Sequence, residues 1–170
     1  MNGSRPPHPD LGQSIEIMRK AHEGQLDKCG RPYYLHPLRV AMRLVHCTPE
    51  ERHAALLHDV IEDTPLTLED LRALGYSDEV IMLVDLLTRR MPEGESHRQY
   101  LERIATSGNV KALRVKLADV IDNMSPARSR DLPKEHRGMQ HRFQKDLERI
   151  VDALREIGDE LSGTIVRGDL

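Results

Sequence analysis

Residues 54–63 read Ala54-Ala55-Leu56-Leu57-His58-Asp59-Val60-Ile61-Glu62-Asp63. An apolar run that carries four polar groups must satisfy them, because burying an unpaired His–Asp doublet is costly. A metal ion satisfies imidazole and carboxylate together. On a helix, Glu62 lies one turn beyond His58 and Asp63 one turn beyond Asp59, and residues so spaced share a face. Two of these groups suit holding a cation and two suit chemistry beside it. The other reading is a core histidine followed by the end of an amphipathic helix. Against it, carboxylates at a helix C-terminus oppose the helix dipole.

The pattern around this run is helical. Thr48-Pro49-Glu50-Glu51 is a start signal, with Thr48 as N-cap and Glu51 at the capping-box position. The helix it opens is expected to reach Ile61 and to end near Asp63-Thr64-Pro65. Upstream, apolar residues recur at helical spacing from Leu11 to Glu23, and His36-Pro37 opens a helix through Leu38, Val40, Ala41 and Leu44. Between them, Asp27 to Pro32 is a loop punctuated by Gly30 and Pro32. Downstream, Thr67 with Asp70 is a second capping box, whose short helix closes at Gly75. Ser77 caps a helix to Leu87, a polar loop follows, and Ser96 to Thr106 is helical. Asn109 to Asn123 forms a long helix, Ser125 to Pro133 a turn-rich connector, and Lys134 to Gly158 the last helix. No strand is evident. The expected fold is an all-α bundle of about seven or eight helices over residues 11–158, with tails at 1–10 (disordered) and 159–170.

Composition agrees. The 170 residues fit one domain with a sizeable core, and aromatics are only 3%, with one Phe and no Trp. The core must come from Leu, Ile, Val, Ala and Met, which favours helix on helix. A net charge of −3 gives no footprint for bulk nucleic acid. Cys29 and Cys47 lack metal or disulfide spacing. With no signal peptide and no membrane-length apolar run, a cytoplasmic location is expected, and oligomers are possible.

Two further segments bear on the doublet. In Lys116-Leu117-Ala118-Asp119, Asp119 falls inside the apolar stripe of its helix, where it can ligate a metal or pair with Arg114 or Lys116. In Tyr33-Tyr34-Leu35-His36-Pro37, His36 stands at a loop–helix junction, as a ligand or as a capping residue. Together His36, His58, Asp59 and Asp119 make a two-nitrogen, two-oxygen set drawn from three helices. Imidazole with carboxylate suits Mn²⁺ or Fe²⁺, and also Zn²⁺, Co²⁺ or Ni²⁺. A six-coordinate ion would keep two positions for water or substrate oxygen.

The order H…HD…D resembles the HD-domain metal-dependent phosphohydrolases. The segments Ala21-His22-Glu23-Gly24-Gln25, His36-Pro37, Ala54 to Thr64, and Val115 to Asp119 with Asn123-Met124 are similar to the hydrolase module of the RelA/SpoT-type alarmone enzymes and to the small alarmone hydrolases. That resemblance covers residues 11 to 155. It implies an enzyme that uses Mn²⁺ to remove the 3′-pyrophosphate of (p)ppGpp. It implies His36, His58, Asp59 and Asp119 as metal ligands and Glu62 with Asp63 acting on the attacking water. Lys28 then lies beside the base and phosphates, and Asn123 beside the sugar. Three segments depart from the family pattern, one of them Val120-Ile121-Asp122, where Arg, Leu and His often follow the Asp. Asp27 stands where an Arg usually stacks on guanine, and Ser125-Pro126 replace a basic residue and Thr. The substrate therefore stays open between (p)ppGpp, the 2′-phosphate of NADPH and another nucleotide of an HD nucleotidase or phosphodiesterase. A nucleotide-sensing module without turnover is the non-enzyme alternative.

Overall fold

The helix opened at Thr48 stops earlier than its apolar pattern predicts. In the computed structural model, which describes residues 7–159, Pro49–Leu57 is followed by a separate turn of helix at Val60–Asp63. The break falls on His58-Asp59. The His58 Nδ1 bonds the Ala55 carbonyl at 2.8 Å, the acceptor that a continuous helix offers to the Asp59 N–H. Side chain thus competes with backbone at the doublet itself.

In chain order the helices are α1 (Leu11–Ala21), α2 (Leu35–Arg43), α3 (Pro49–Leu57), α4 (Val60–Asp63), α5 (Leu68–Ala73), α6 (Asp78–Leu87), α7 (His97–Ala105), α8 (Val110–Met124), α9 (Pro126–Ser129) and α10 (Met139–Glu156). Eight of them have six residues or more, and no named strand occurs among the described residues; the bundle is all-α as expected. The capping boxes at Thr48 and Thr67 are both closed, and Asp10 with Gln13 closes a third. Gly75 ends the α5 segment with φ +96°, a conformation that costs glycine nothing. The expected connector after Asn123 contains α9, because Ser125 turns the chain and Pro126 suits a first helical position. The last helix begins at Met139 rather than Lys134, after a 3₁₀ turn at Lys134–His136.

Two helices form the centre. α8 is buried on nearly all sides from Ala112 to Asp122, packed against α10, α2, α3 and α6. α3 buries Ala54 to Leu57 against α1, α2, α6 and α8. A helix apolar all round belongs in the interior, and both candidate acidic segments ride on such helices. Residues 1–6 and 160–170, most of the two expected tails, lie outside the described residues. Among the described residues no helix is long and apolar enough to cross a membrane.

A polar cluster pins the N-terminal end of the bundle. Ser14 Oγ bonds His53 Nδ1 at 2.8 Å and Tyr76 Oη at 2.7 Å, all three buried. The ring of His8 packs edge-on against His53 and Tyr76. Burial, then the neighbouring His8, lowers the His53 pKa below 6.5, while Glu50 and Asp10 oppose. The folded chain therefore resists protonation that the unfolded chain accepts. Stability from this site is complete above pH 6.5 and is lost as pH falls below it. The urea midpoint is expected to fall between pH 7 and pH 5, and His53→Gln to flatten that fall. An unchanged pH slope in the variant would show that His53 does not cause it.

Candidate metal centre

Two helices and the α3–α4 break bring the four candidate ligand side chains together. His36 enters from the first turn of α2, His58 and Asp59 from the break, and Asp119 from the middle of α8. His36 Nε2 lies 3.0 Å from Asp119 Oδ1 and 3.6 Å from Asp59 Oδ2. His58 Nε2 lies 3.1 Å from Asp59 Oδ2 and 3.8 Å from Asp119 Oδ1. One ligand atom each from His36, His58 and Asp119 falls within 4.8 Å of the other two. Both histidines and Asp119 are buried, and Asp59 has 19% of its side chain exposed.

With an acceptor at each Nδ1, each imidazole in its neutral form turns an Nε2 lone pair toward the cluster. His58 Nδ1 is held by the Ala55 carbonyl, and His36 Nδ1 by the Asp122 carboxylate at 2.9 Å. With its Nδ1 proton so placed, His58 Nε2 is a buried acceptor without a hydrogen-bond partner, facing carboxylates. Acceptors crowded on acceptors need a cation or a proton between them. The titration behaviour says the same. Burial opposes charge on His58, but Asp59 and Asp119 outweigh it and raise the pKa to about 9. Burial likewise works against ionised Asp59, and His58 and His36 outweigh it, so the carboxyl sits below its usual range. The residues present fit a divalent ion: neutral imidazole and hard carboxylate, with a preference for positive charge built into the site.

Asp119 makes one of the ion pairs open to it and turns its other oxygen to the histidines. Lys116 Nζ bonds its Oδ2 at 2.8 Å, while Oδ1 faces the histidines. Arg114 goes elsewhere, to Asp159. Asn123 Nδ2 donates to Asp119 Oδ1 at 2.6 Å. Tyr33 Oη donates to Asp59 Oδ2 at 2.7 Å.

The cluster opens into a cavity of about 400 Å³, lined among others by Asp59, Glu62, Asp63, Asp119 and Asn123. Glu62 accepts from the Arg89 N–H at 3.0 Å. Burial raises the pKa of Glu62 and of Asp63, and the charge of Asp59 adds to both. The loop that delivers Arg89 is clamped by Arg103, which bonds Glu95 and the carbonyls of Leu86 and Thr88. The same cavity lining also carries basic residues, Lys28, Arg128 and Arg142 among them. Among the described residues Lys28 has only the Met139 sulfur as a hydrogen-bond acceptor, at 2.8 Å. Burial, then the charges of Arg142 and Arg128, lower its pKa. Arg128 Nη1 is buried without a hydrogen-bond partner.

The structure also shows what the departing positions do. Asp27 lines the cavity, but its Oδ1 accepts from the N–H groups of Cys29 and Arg31 at 2.9 and 3.0 Å. It shapes the loop that carries Lys28. Ser125 Oγ is spent on the Asp122 carbonyl at 2.6 Å. Sequence reasoning missed Asp122, Arg39, Arg43 and Tyr33 as neighbours of the ligands. For Asp122 a signal existed, since a charged residue sat one turn beyond Asp119 in the same apolar stripe.

This is an all-α domain whose central helices converge histidines and aspartates on one cation-seeking point beside a two-signed cleft. A family model described as "HD domain" matches residues 14–154, and the chain belongs to the HD domain family. Among curated proteins it is 37% identical over 130 residues to the probable guanosine-3′,5′-bis(diphosphate) 3′-pyrophosphohydrolase of Mycoplasma pneumoniae, covering 68% of this chain and 18% of that one. It is 33% identical to the guanosine-3′,5′-bis(diphosphate) 3′-pyrophosphohydrolase of Vibrio cholerae, covering 88% of this chain and 24% of that one. The chain thus spans about a fifth of the length of the curated relatives it matches. A solved metazoan ortholog of SpoT, described as hydrolysing ppGpp, superposes with a TM-score of 0.70 at 24% identity, covering 90% of this chain and 99% of that one. That likeness shows the fold.

Proposed function

We propose that the protein is a metal-dependent phosphohydrolase of phosphorylated nucleotides, with guanosine-3′,5′-bis(diphosphate) as the foremost substrate and its 3′-pyrophosphate as the group removed. The observation that carries this reading is the buried His58 Nε2, without a hydrogen-bond partner and facing Asp59 and Asp119, behind a cavity that Asp59 and Asp119 line together with cationic residues. His36, His58, Asp59 and Asp119 would hold the ion, with Mn²⁺ first and Fe²⁺, Co²⁺, Ni²⁺ or Zn²⁺ able to replace it. A divalent ion there would supply Lewis acidity toward phosphoryl oxygens and a more acidic water.

The chain's own groups do the rest. Glu62, fixed by the Arg89 N–H, orients the attacking water and accepts its proton, with Asp63 beside it. Lys28, whose ammonium meets a thioether rather than a carboxylate among the described residues, binds phosphate charge. Asn123 sets its amide beside Asp119, where the sugar would lie. Being free of long apolar helices among the described residues, the domain suits the cytoplasm. A second reading, an HD nucleotidase or an NADPH phosphatase, is favoured by one observation: the Asp27 carboxylate is committed to its loop and offers no cation to stack on guanine.

Purified protein with Mn²⁺ should release pyrophosphate from guanosine-3′,5′-bis(diphosphate), measured beside phosphate release from NADPH. Turnover of NADPH alone transfers the assignment to the second reading. Turnover of neither, with metal bound, removes both substrates and leaves the nucleotidase reading to be tested on other nucleotides.

A further inference from the structure

Asp122 is fully buried on α8, one turn beyond Asp119, and three side chains of α2 converge on it. Its Oδ2 accepts from His36 Nδ1 at 2.9 Å. Its Oδ1 accepts from Arg39 Nε at 3.0 Å and from Arg43 Nε and Nη2 at 3.2 Å each. His36, Arg39 and Arg43 stand at i, i+3 and i+7, so one face of α2 is spent on a single carboxylate.

A bridge that only tied α2 to α8 would need the arginines and not the imidazole. The two ligand histidines are also held differently, His58 by a neutral backbone carbonyl and His36 by a carboxylate. A carboxylate behind an imidazole fixes its tautomer and strengthens its opposite nitrogen as a ligand. We infer that Asp122 is the positioning residue for His36: it keeps the proton on Nδ1 and the Nε2 lone pair on the ion, while Arg39 and Arg43 hold the carboxylate in its buried place. The inference rests on the metal reading above and adds a residue that this reading does not use.

The test is Asp122→Asn. With the two arginines still donating to the Oδ1 side, the new amide turns its NH₂ toward His36 Nδ1. That nitrogen must then accept, and the proton moves to Nε2, against the ion. Mn²⁺ affinity by calorimetry is expected to drop about 10- to 100-fold. In ¹⁵N-labelled protein loaded with diamagnetic Zn²⁺, wild type should show His36 with a hydrogen-bonded proton on Nδ1, and the variant should lose that signal. Arg52→Gln, which loses the bonds to the Ala41 and Leu44 carbonyls at the end of α2 without touching Asp122, is the control for a purely structural role: the melting temperature falls, while the His36 signal and the Mn²⁺ affinity stay as in wild type.

Equal affinity and an unchanged His36 signal in Asp122→Asn overturn the inference. If that variant does not fold, the wild type still decides, because a loaded His36 bearing its proton on Nε2 overturns it as well. Wild-type protein that takes up neither ion overturns the metal reading together with this one; uptake by wild type with equal uptake by the variant overturns this one alone.

Discussion

Asp59→Ala is expected to abolish metal uptake and turnover together. Asp59 Oδ2 is 3.1 and 3.6 Å from the two imidazole Nε2 atoms, so its removal takes away one of the two carboxylates that make the site attractive to a cation. Loss of a ligand should exceed the 10- to 100-fold cost typical of residues that only support one, and we expect affinity to fall by about 10³-fold or more. The fold itself should survive. The alanine removes like-charge crowding with Asp119, and it costs the acceptor of Tyr33 Oη and the contacts to the two imidazole Nε2 atoms, at a position already open to the cavity. The discriminating measurement is thermal unfolding with and without Mn²⁺. Ligand at one hundred times Kd stabilises a native state by about 2.7 kcal/mol, so the wild type should melt several degrees higher with the ion present. The variant should show no shift. A preserved metal-dependent shift in Asp59→Ala would falsify its assignment as a ligand.

The helical architecture could be read from the sequence because its signals are local. Capping boxes at Thr48 and Thr67, the breaker at Gly75 and the 3.6-residue apolar period each act over a few residues and need no partner. The endpoint of α3 could not, because it is set by the His58 imidazole bonding the Ala55 carbonyl, a choice made by the site's geometry rather than by propensity. That His36, His58, Asp59 and Asp119 converge was legible as a pattern of types in order, since buried histidine and aspartate in apolar stripes demand a shared partner. The environment of those ligands was not. Tyr33 reaches Asp59 across 26 positions and Arg39 reaches Asp122 across 83, and such pairs leave no periodic trace in one sequence. Asp27 shows the same limit from the other side. Compared with a stacking arginine it is a loss of charge, yet in place it caps the backbone that presents Lys28.

Glu62→Gln separates holding the ion from using it. The glutamine keeps the size of the side chain and can still accept from the Arg89 N–H, which Glu62 does at 3.0 Å. Folding and metal affinity should therefore be unchanged. What the amide cannot do is take a proton from water. General-base catalysis by a positioned carboxylate is worth about 10²–10⁴-fold, and kcat should fall by that amount. Burial, and then the charge of Asp59 and Asp63, pushes the Glu62 pKa up against the opposing Arg89 N–H, which moves the base toward neutrality, where it works best. The group is active when ionised, so wild-type kcat/KM should decline as pH falls through that raised pKa, and this acidic limb should vanish from the residual activity of the variant. Asp63→Asn supplies the comparison. Asp63 shares the raised pKa, but among the described residues no backbone donor fixes it as Arg89 fixes Glu62, so its loss should cost less. If Asp63→Asn proves the more damaging, with Glu62→Gln near wild type, the water belongs to Asp63 and the role given to Glu62 is wrong.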